Sequence, residues 1–222
     1  QLAGRVAAVE LDKTLLPILA ETLAPYDNVQ VIPGDVMKLD LPALVSEQFC
    51  SLTPIACANL PYNITTPAIT ALLEAKCFRA ITVMIQREVA LRICAAPGTA
   101  DYGAFSVFCQ YHARPELLFE VPPHCFLPAP KVTSAVLRLL PREQPPQNLV
   151  SEEQFFRVVR AGFAQRRKTL LNCLCSAFGG QLDKQAVAQT IAQCGLPADV
   201  RGERLSIPEF AALARALYAA MN

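Results

Sequence analysis

Pro54-Ile55-Ala56-Cys57-Ala58-Asn59-Leu60-Pro61-Tyr62 is an apolar run that passes directly into a polar turn. The run has the length and composition of a buried strand, so Asn59 to Tyr62 fall at its carboxyl end, where open α/β sheets gather their ligands. Asn-x-Pro-Tyr in that place suits chemistry on an exocyclic amino nitrogen. The adenine amine is a poor nucleophile, because its lone pair is delocalised into the ring. Two acceptors aimed at its hydrogens, the Asn59 side-chain carbonyl and a backbone carbonyl of the Leu60-Pro61 turn, draw the nitrogen toward a tetrahedral, nucleophilic geometry. Tyr62 offers an aromatic face on which an unstacked base can rest, a contact worth about 1–3 kcal/mol. The same four residues also make an ordinary turn after a strand, with Pro for its fixed φ and Tyr for packing.

Outward from this stretch, strands alternate with helices. Residues 5–11 read as a short apolar strand ending near an acid, 15–23 as a helix, 29–32 as a strand closed by Gly34-Asp35, and 41 to the mid-forties as a helix or loop. Beyond the strand at 54–60 come a helix at 68–73, a strand at 80–85 and a helix at 88–93. This rhythm predicts a parallel, doubly wound α/β sheet. The pattern then changes. Residues 105–112 and 117–121 alternate like strands and 134–140 are rich in Val and Leu, which predicts a late antiparallel hairpin on the sheet edge. Residues 141–147 have the composition of a linker. From Ser151, a helix cap with Glu153 and Gln154 in the first turn, only helical periodicity follows. The expected organisation is an α/β domain over residues 1–142 and a small helical domain over 151–222.

Composition narrows the class. A hydrophobic fraction of 53% is ample for a core, and no apolar run approaches the roughly 18 residues of a membrane span. A soluble, cytoplasmic, monomeric protein is expected. The nine cysteines are scattered and odd in number, and Cys57 and Cys109 lie in apolar strand-like stretches, so they read as reduced core residues. Cys173 and Cys175, two apart on a helix, point about 200° away from each other, so no metal site is expected. His112 and His124 sit in no nucleophile–base setting and read as structural or surface residues. A net charge of +1 hides any local patch.

The block Asn59-Leu60-Pro61-Tyr62-Asn63-Ile64-Thr65-Thr66-Pro67 resembles the catalytic motif of the small-subunit ribosomal RNA adenine N6,N6-dimethyltransferases, the KsgA family. Gln86-Arg87-Glu88-Val89-Ala90, Tyr102-Gly103, Phe126-Leu127-Pro128-Ala129-Pro130-Lys131-Val132 and Phe163-Ala164-Gln165-Arg166-Arg167-Lys168-Thr169-Leu170 follow in the family's order and spacing. The likeness spans nearly the whole chain. It implies a Rossmann-like class I methyltransferase sheet, S-adenosylmethionine as methyl donor, and small-subunit ribosomal RNA in its particle as substrate, with no DNA or membrane partner. Sulfur leaves as a neutral thioether, so the reaction implies no metal. A large-subunit RNA methyltransferase of the antibiotic-resistance type and a non-catalytic RNA-binding assembly factor are the alternatives. The Phe126 to Val132 segment and Gln165 to Thr169 look more like the small-subunit group.

Individual residues take roles on this reading. Glu10, ending the first visible strand, can accept hydrogen bonds from both hydroxyls of a ribose. Asp35 can accept from an adenine amino group while Val36 faces the ring, and Leu11 offers an apolar contact. By resemblance these residues and Asn59 form a cofactor-binding row along the carboxyl edge of the sheet. Phe126, in a Pro-rich loop whose prolines lower the entropy of holding it, closes over the target base opposite Tyr62. Lys131 can meet a phosphate. Arg166, Arg167 and Lys168 are expected to fan over one helix that also carries Phe163, Leu170, Leu171 and Leu174, which suits a phosphate backbone rather than a single base contact. Arg157 and Arg160 upstream enlarge the patch.

The resemblance also marks a gap. In that family a central first strand and a Gly-rich loop precede the segment beginning at Gln1, and the nine glycines here include no G-x-G. The strands at 5–11 and 54–60 are then left without a shared neighbour, with exposed backbone donors and apolar faces. The expectation is a sheet incomplete at its amino end, further residues upstream in the native protein, and weak cofactor binding by the 222 residues alone. Calorimetry against a version extended at the amino end is the check.

Overall fold

The computed structural model describes residues 3–144 and 151–221. They form two compact units, residues 1–86 with 118–141, and residues 87–117 with 142–222. The chain therefore passes between the units three times, at 86/87, 117/118 and 141/142, rather than once in the region of residues 142–151. Of the expected linker, residues 145–147 lie outside the described residues, and Pro141 still belongs to a strand.

The first unit carries β1 (Val6–Glu10), α1 (Leu16–Leu23), β2 (Val29–Pro33), α2 (Leu41–Phe49), β3 (Ile55–Asn59), α3 (Thr65–Glu74), β4 (Ala80–Gln86) and β6 (Ser134–Pro141), with the end of β5 (Ala113–Val121). β3 and β4 pair in parallel, Ile55 opposite Ala80 and Asn59 opposite Met84. β6 runs antiparallel along the other side of β4, Ser134 opposite Gln86, and β5 lies beyond it at the edge. β4, flanked on both sides, buries Ile81, Val83 and Ile85, while β6 buries Ala135, Leu137 and Leu139 and α3 buries Ile69, Leu72 and Leu73. The period of two on β4 and β6 against three-to-four on α3 is the pattern of a helix covering a sheet.

β1 and β2 make a separate parallel pair, from Val6 opposite Val29 to Glu10 opposite Pro33. Arg5 donates to Gln30 at 2.9 Å and to the buried Gln48 at 2.8 Å, tying α2 to this pair. Among the described residues, β1 and β3 each keep one edge without a strand partner, and these are the two strands that the sequence leaves without a common neighbour. α1 buries none of its residues, and Ile18 and Ile55 remain 56% and 63% exposed. Full burial of one such side chain contributes about 1.5–3 kcal/mol, so this corner holds unused hydrophobic stabilisation. Cys57 on β3 is likewise exposed, contrary to its reading as a core residue, on the same face of the strand as the exposed Ile55 and Asn59. All nine cysteines are free.

The second unit is helical: α4 (Arg87–Cys94), α5 (Ala104–His112), α6 (Glu152–Phe163), α7 (Leu170–Phe178), α8 (Lys184–Gln193) and α9 (Ile207–Met221). Residues 105–112 are a helix, not the expected strand. The backbone N–H of Gly103 donates to the Ser106 hydroxyl at 3.0 Å, and that hydroxyl donates to the Arg92 carbonyl at 2.6 Å, which caps α5 and binds it to α4. Tyr111, Phe155, Phe178 and Phe210 are fully buried. The Tyr102 hydroxyl donates to the Leu205 carbonyl at 3.0 Å, and burial, with Glu209 nearby, pushes its pKa up to about 12, so it stays a neutral donor. His112 packs between Phe108 and Phe156 in this core, as a structural histidine. Gly202 is required where it stands, since a Cβ there would meet the Gly162 carbonyl of α6. Ser151 caps α6 by accepting from the Gln154 N–H at 3.1 Å.

Candidate functional site

The amine-acceptor loop grows out of the sheet. β3 ends at Asn59, and the next N–H, that of Leu60, still donates to the Met84 carbonyl of β4 at 3.1 Å. Leu60 is 6% exposed and anchors the turn, while Asn59 itself is exposed. Residues Tyr62–Ile64 then make one 3₁₀ turn before α3. Its closing bonds fall on Pro61, whose carbonyl accepts from the Ile64 N–H at 3.1 Å and the Thr65 hydroxyl at 3.3 Å. A carbonyl has two lone pairs, so that of Pro61 is occupied, and an amine-accepting role for a carbonyl of this turn would fall to Leu60.

Tyr62 stands at the start of the 3₁₀ turn with its ring 36% exposed. Its hydroxyl lies 2.8 Å from the hydroxyl of Ser134, the buried first residue of β6. Phe126 is half-buried in the loop between β5 and β6, its N–H donating to the Pro123 carbonyl at 3.1 Å. Lys131 is exposed in the same loop.

The residues expected to hold a cofactor collect at the carboxyl end of β1 and β2. The Gly34 N–H donates to the Glu10 carbonyl at 2.9 Å, extending the ladder by one bond past the strands and setting Asp35 beside Glu10. One Glu10 carboxylate oxygen accepts from the Asp12 N–H at 2.7 Å, which holds the side chain and leaves the other oxygen for a ligand. One Asp35 oxygen accepts from the Met37 N–H at 3.0 Å in the same way. Asp12 is drawn off by Thr14, whose hydroxyl and N–H lower its pKa. Leu11 is 68% exposed beside them, and Val36 is half-buried. Two carboxylates with spare acceptors around an open apolar side chain fit a ribose and an adenine ring. The structure thus brings Glu10, Leu11, Asp35 and Val36 together at one strand-pair end, and Asn59 to Tyr62 at another.

The cations of the second unit are not arranged as expected. Residues 164–169 form a loop between α6 and α7, not the middle of one helix. Thr169 caps α7 by accepting from the Asn172 N–H at 3.4 Å, and the Lys168 N–H donates to the Gln165 carbonyl at 2.9 Å, so the chain turns here. Arg166 donates to the Ala100 carbonyl at 2.5 Å and lies 3.9 Å from Glu203, which leaves Arg167 and Lys168 as the outward pair. Arg157 packs on the Phe178 ring, 4.7 Å from its centroid. Arg167 lines an open cavity of about 760 Å³ with Arg201 and Arg204, two cations that the sequence reading passed over. The only signal for them was their spacing in Arg201-Gly202-Glu203-Arg204. Among the described residues there is no cluster of metal-ligating side chains, and no helix is long and apolar enough to cross a membrane.

The profile of the ribosomal RNA adenine dimethylase family matches residues 1–205. Ribosomal RNA small subunit methyltransferase A of Anoxybacillus flavithermus (strain DSM 21510 / WK1) is 46% identical over 219 residues, 97% of this chain and 74% of that protein. The protein of the same name from Bacillus mycoides (strain KBAB4) is 48% identical over 218 residues, 97% of this chain and 75% of its own. Among solved structures, a dimethyladenosine transferase from Plasmodium falciparum matches with a TM-score of 0.78 at 20% identity, over 97% of this chain and 82% of that one. The 23S rRNA methyltransferase ErmE matches with a TM-score of 0.69 at 22% identity, over 97% and 83%. At those identities the two structures speak to the fold alone, a class I methyltransferase sheet with a helical C-terminal part.

Proposed function

The chain belongs to the ribosomal RNA adenine dimethylase family, and we propose that it moves methyl groups from S-adenosylmethionine to N6 of adenosines in small-subunit ribosomal RNA, giving dimethyladenosine. The observation that carries this reading is the Asn59–Tyr62 loop at the carboxyl end of β3, pinned to Met84 with Asn59 exposed. The identity of 46–48% to proteins named for the small subunit supports that choice over the large subunit. A cytoplasmic monomer acting on the assembling particle fits the same reading.

Bound S-adenosylmethionine supplies a methyl group made electrophilic by its sulfonium. Glu10 would hold the ribose through its free carboxylate oxygen, Asp35 the adenine amine, and Leu11 and Val36 the ring faces. Asn59 and the Leu60 carbonyl accept from the two hydrogens of the target amine and fix the direction of its lone pair. Tyr62 and Phe126 stack on the extruded base and keep water from it. Such orientation can lower a barrier by several kcal/mol, about 7–11 at the extreme.

The test is product formation. The protein with S-adenosylmethionine and small-subunit particles should yield dimethyladenosine, and naked large-subunit RNA should yield none; the reverse preference overturns the assignment. Glu10→Gln should raise the Kd for S-adenosylmethionine about tenfold in calorimetry, the loss of one charged acceptor, with little effect on RNA affinity. An unchanged Kd removes Glu10 from the cofactor site.

A further inference from the structure

We propose that Ser134 is a positioning residue for methyl transfer, its hydroxyl holding the Tyr62 ring in the place where the target base stacks. This rests on the reading of Asn59 to Tyr62 as the amine-binding loop. β4 pairs with both strands concerned. Asn59 lies opposite Met84 on one side of it, and Ser134 opposite Gln86 on the other. Two residues along β4 is about 7 Å, and the strands flanking it stand roughly 10 Å apart, so Asn59 and Ser134 occupy the same end of the sheet on opposite sides of one strand. The Tyr62 side chain crosses that interval. Its backbone is held by the 3₁₀ turn, and its hydroxyl reaches Ser134 at 2.8 Å across 72 positions of sequence.

The two partners differ in freedom. Ser134 is 1% exposed and fixed at the first position of a ladder strand, whereas the Tyr62 ring is 36% exposed. A phenol tethered at both ends cannot swing about its Cα–Cβ bond, so the ring axis is held in one place before any RNA arrives, and only rotation about that axis, which leaves the hydroxyl where it is, remains. Without the serine hydroxyl the phenol finds water instead, because it is open enough to do so, and the ring samples other rotamers. The loss therefore falls on alignment rather than on folding. β6 also begins where the loop bearing Phe126 ends.

Ser134→Ala should lower kcat about 3- to 10-fold, the cost of freeing one ordered side chain, with KM for the RNA particle and the thermal midpoint little changed. Tyr62→Phe should lose about as much, and the double variant no more than either, since both remove the same bond. Ser134→Thr keeps the hydroxyl and should restore turnover. A particle carrying 2-aminopurine at the target position reports stacking without chemistry, and its quenching by the protein should weaken in Ser134→Ala. Losses that add in the double variant, or unaltered quenching and kcat in a folded Ser134→Ala, overturn the positioning role while leaving the proposed function standing. A wild-type protein that methylates no small-subunit RNA overturns both.

Discussion

Asn59→Ala should lower kcat for methyl transfer by about 100- to 1000-fold, while affinity for the RNA particle changes less than about twofold. The size follows from what the side chain does. On the proposed reading its carbonyl is one of two acceptors for the target amine, the second being the Leu60 carbonyl, since the neighbouring Pro61 carbonyl is already taken by Ile64 and Thr65. No other side chain of the loop can replace it, because Leu60 and Pro61 have no polar side-chain atoms and Tyr62 directs its hydroxyl to Ser134. Affinity survives because phosphate contacts made elsewhere supply most of RNA binding. Single-turnover rates beside equilibrium binding of the same variant decide it. Turnover within about threefold of wild type would sink the mechanism. Asn59→Asp is a sharper companion, since it keeps an acceptor in place and should retain more activity than the alanine.

The place of the Asn59–Tyr62 loop at a strand end was legible in the sequence because every feature that sets it is local. An apolar run sets the strand, and four consecutive residues supply the acceptor, the turn and the ring. The placing of Glu10 at the end of β1 and of Asp35 just past β2 was legible for the same reason, since the pattern marks where each short strand stops. What failed was decided by packing. Residues 105–112 bury Val107, Cys109 and Tyr111 in alternation, which mimics a strand, yet helices on two sides of α5 produce that burial and the Ser106 cap starts it. A short, largely apolar stretch of eight residues cannot be told from a strand by periodicity alone. Ser134 left no trace, since its partner lies 72 positions away and only the sheet register brings them together. The amide ladder likewise shows what pattern alone cannot, that β1–β2 and β3–β4–β6–β5 share no hydrogen bonds among the described residues.

The cations of residues 166–168 were legible as a charge run but not as a shape, and the shape changes what their removal should do. On a helix the three would fan outward alike. In the observed turn Arg166, though exposed, donates to the Ala100 carbonyl and lies near Glu203, so its removal unsettles the loop, whereas Arg167 lines the open cavity that also carries Asp199, Glu203 and Glu209, and Lys168 is exposed. Replacing Arg167 and Lys168 together by Gln should weaken particle binding on the order of tenfold or more at moderate salt, and should reduce the slope of log affinity against log salt by about 1.4–1.8, two contacts' share of counterion release. Adding Arg166→Gln should change the slope little further, but lower the thermal midpoint as the tie to Ala100 is lost. Cofactor affinity should hold throughout, because Glu10 and Asp35 belong to the other unit. The measurement is binding to small-subunit particles at several salt concentrations. An unchanged slope in the double variant makes the run an ordinary solvated surface, and a slope that falls only when Arg166 is replaced assigns the phosphate contact to the residue that the geometry holds back.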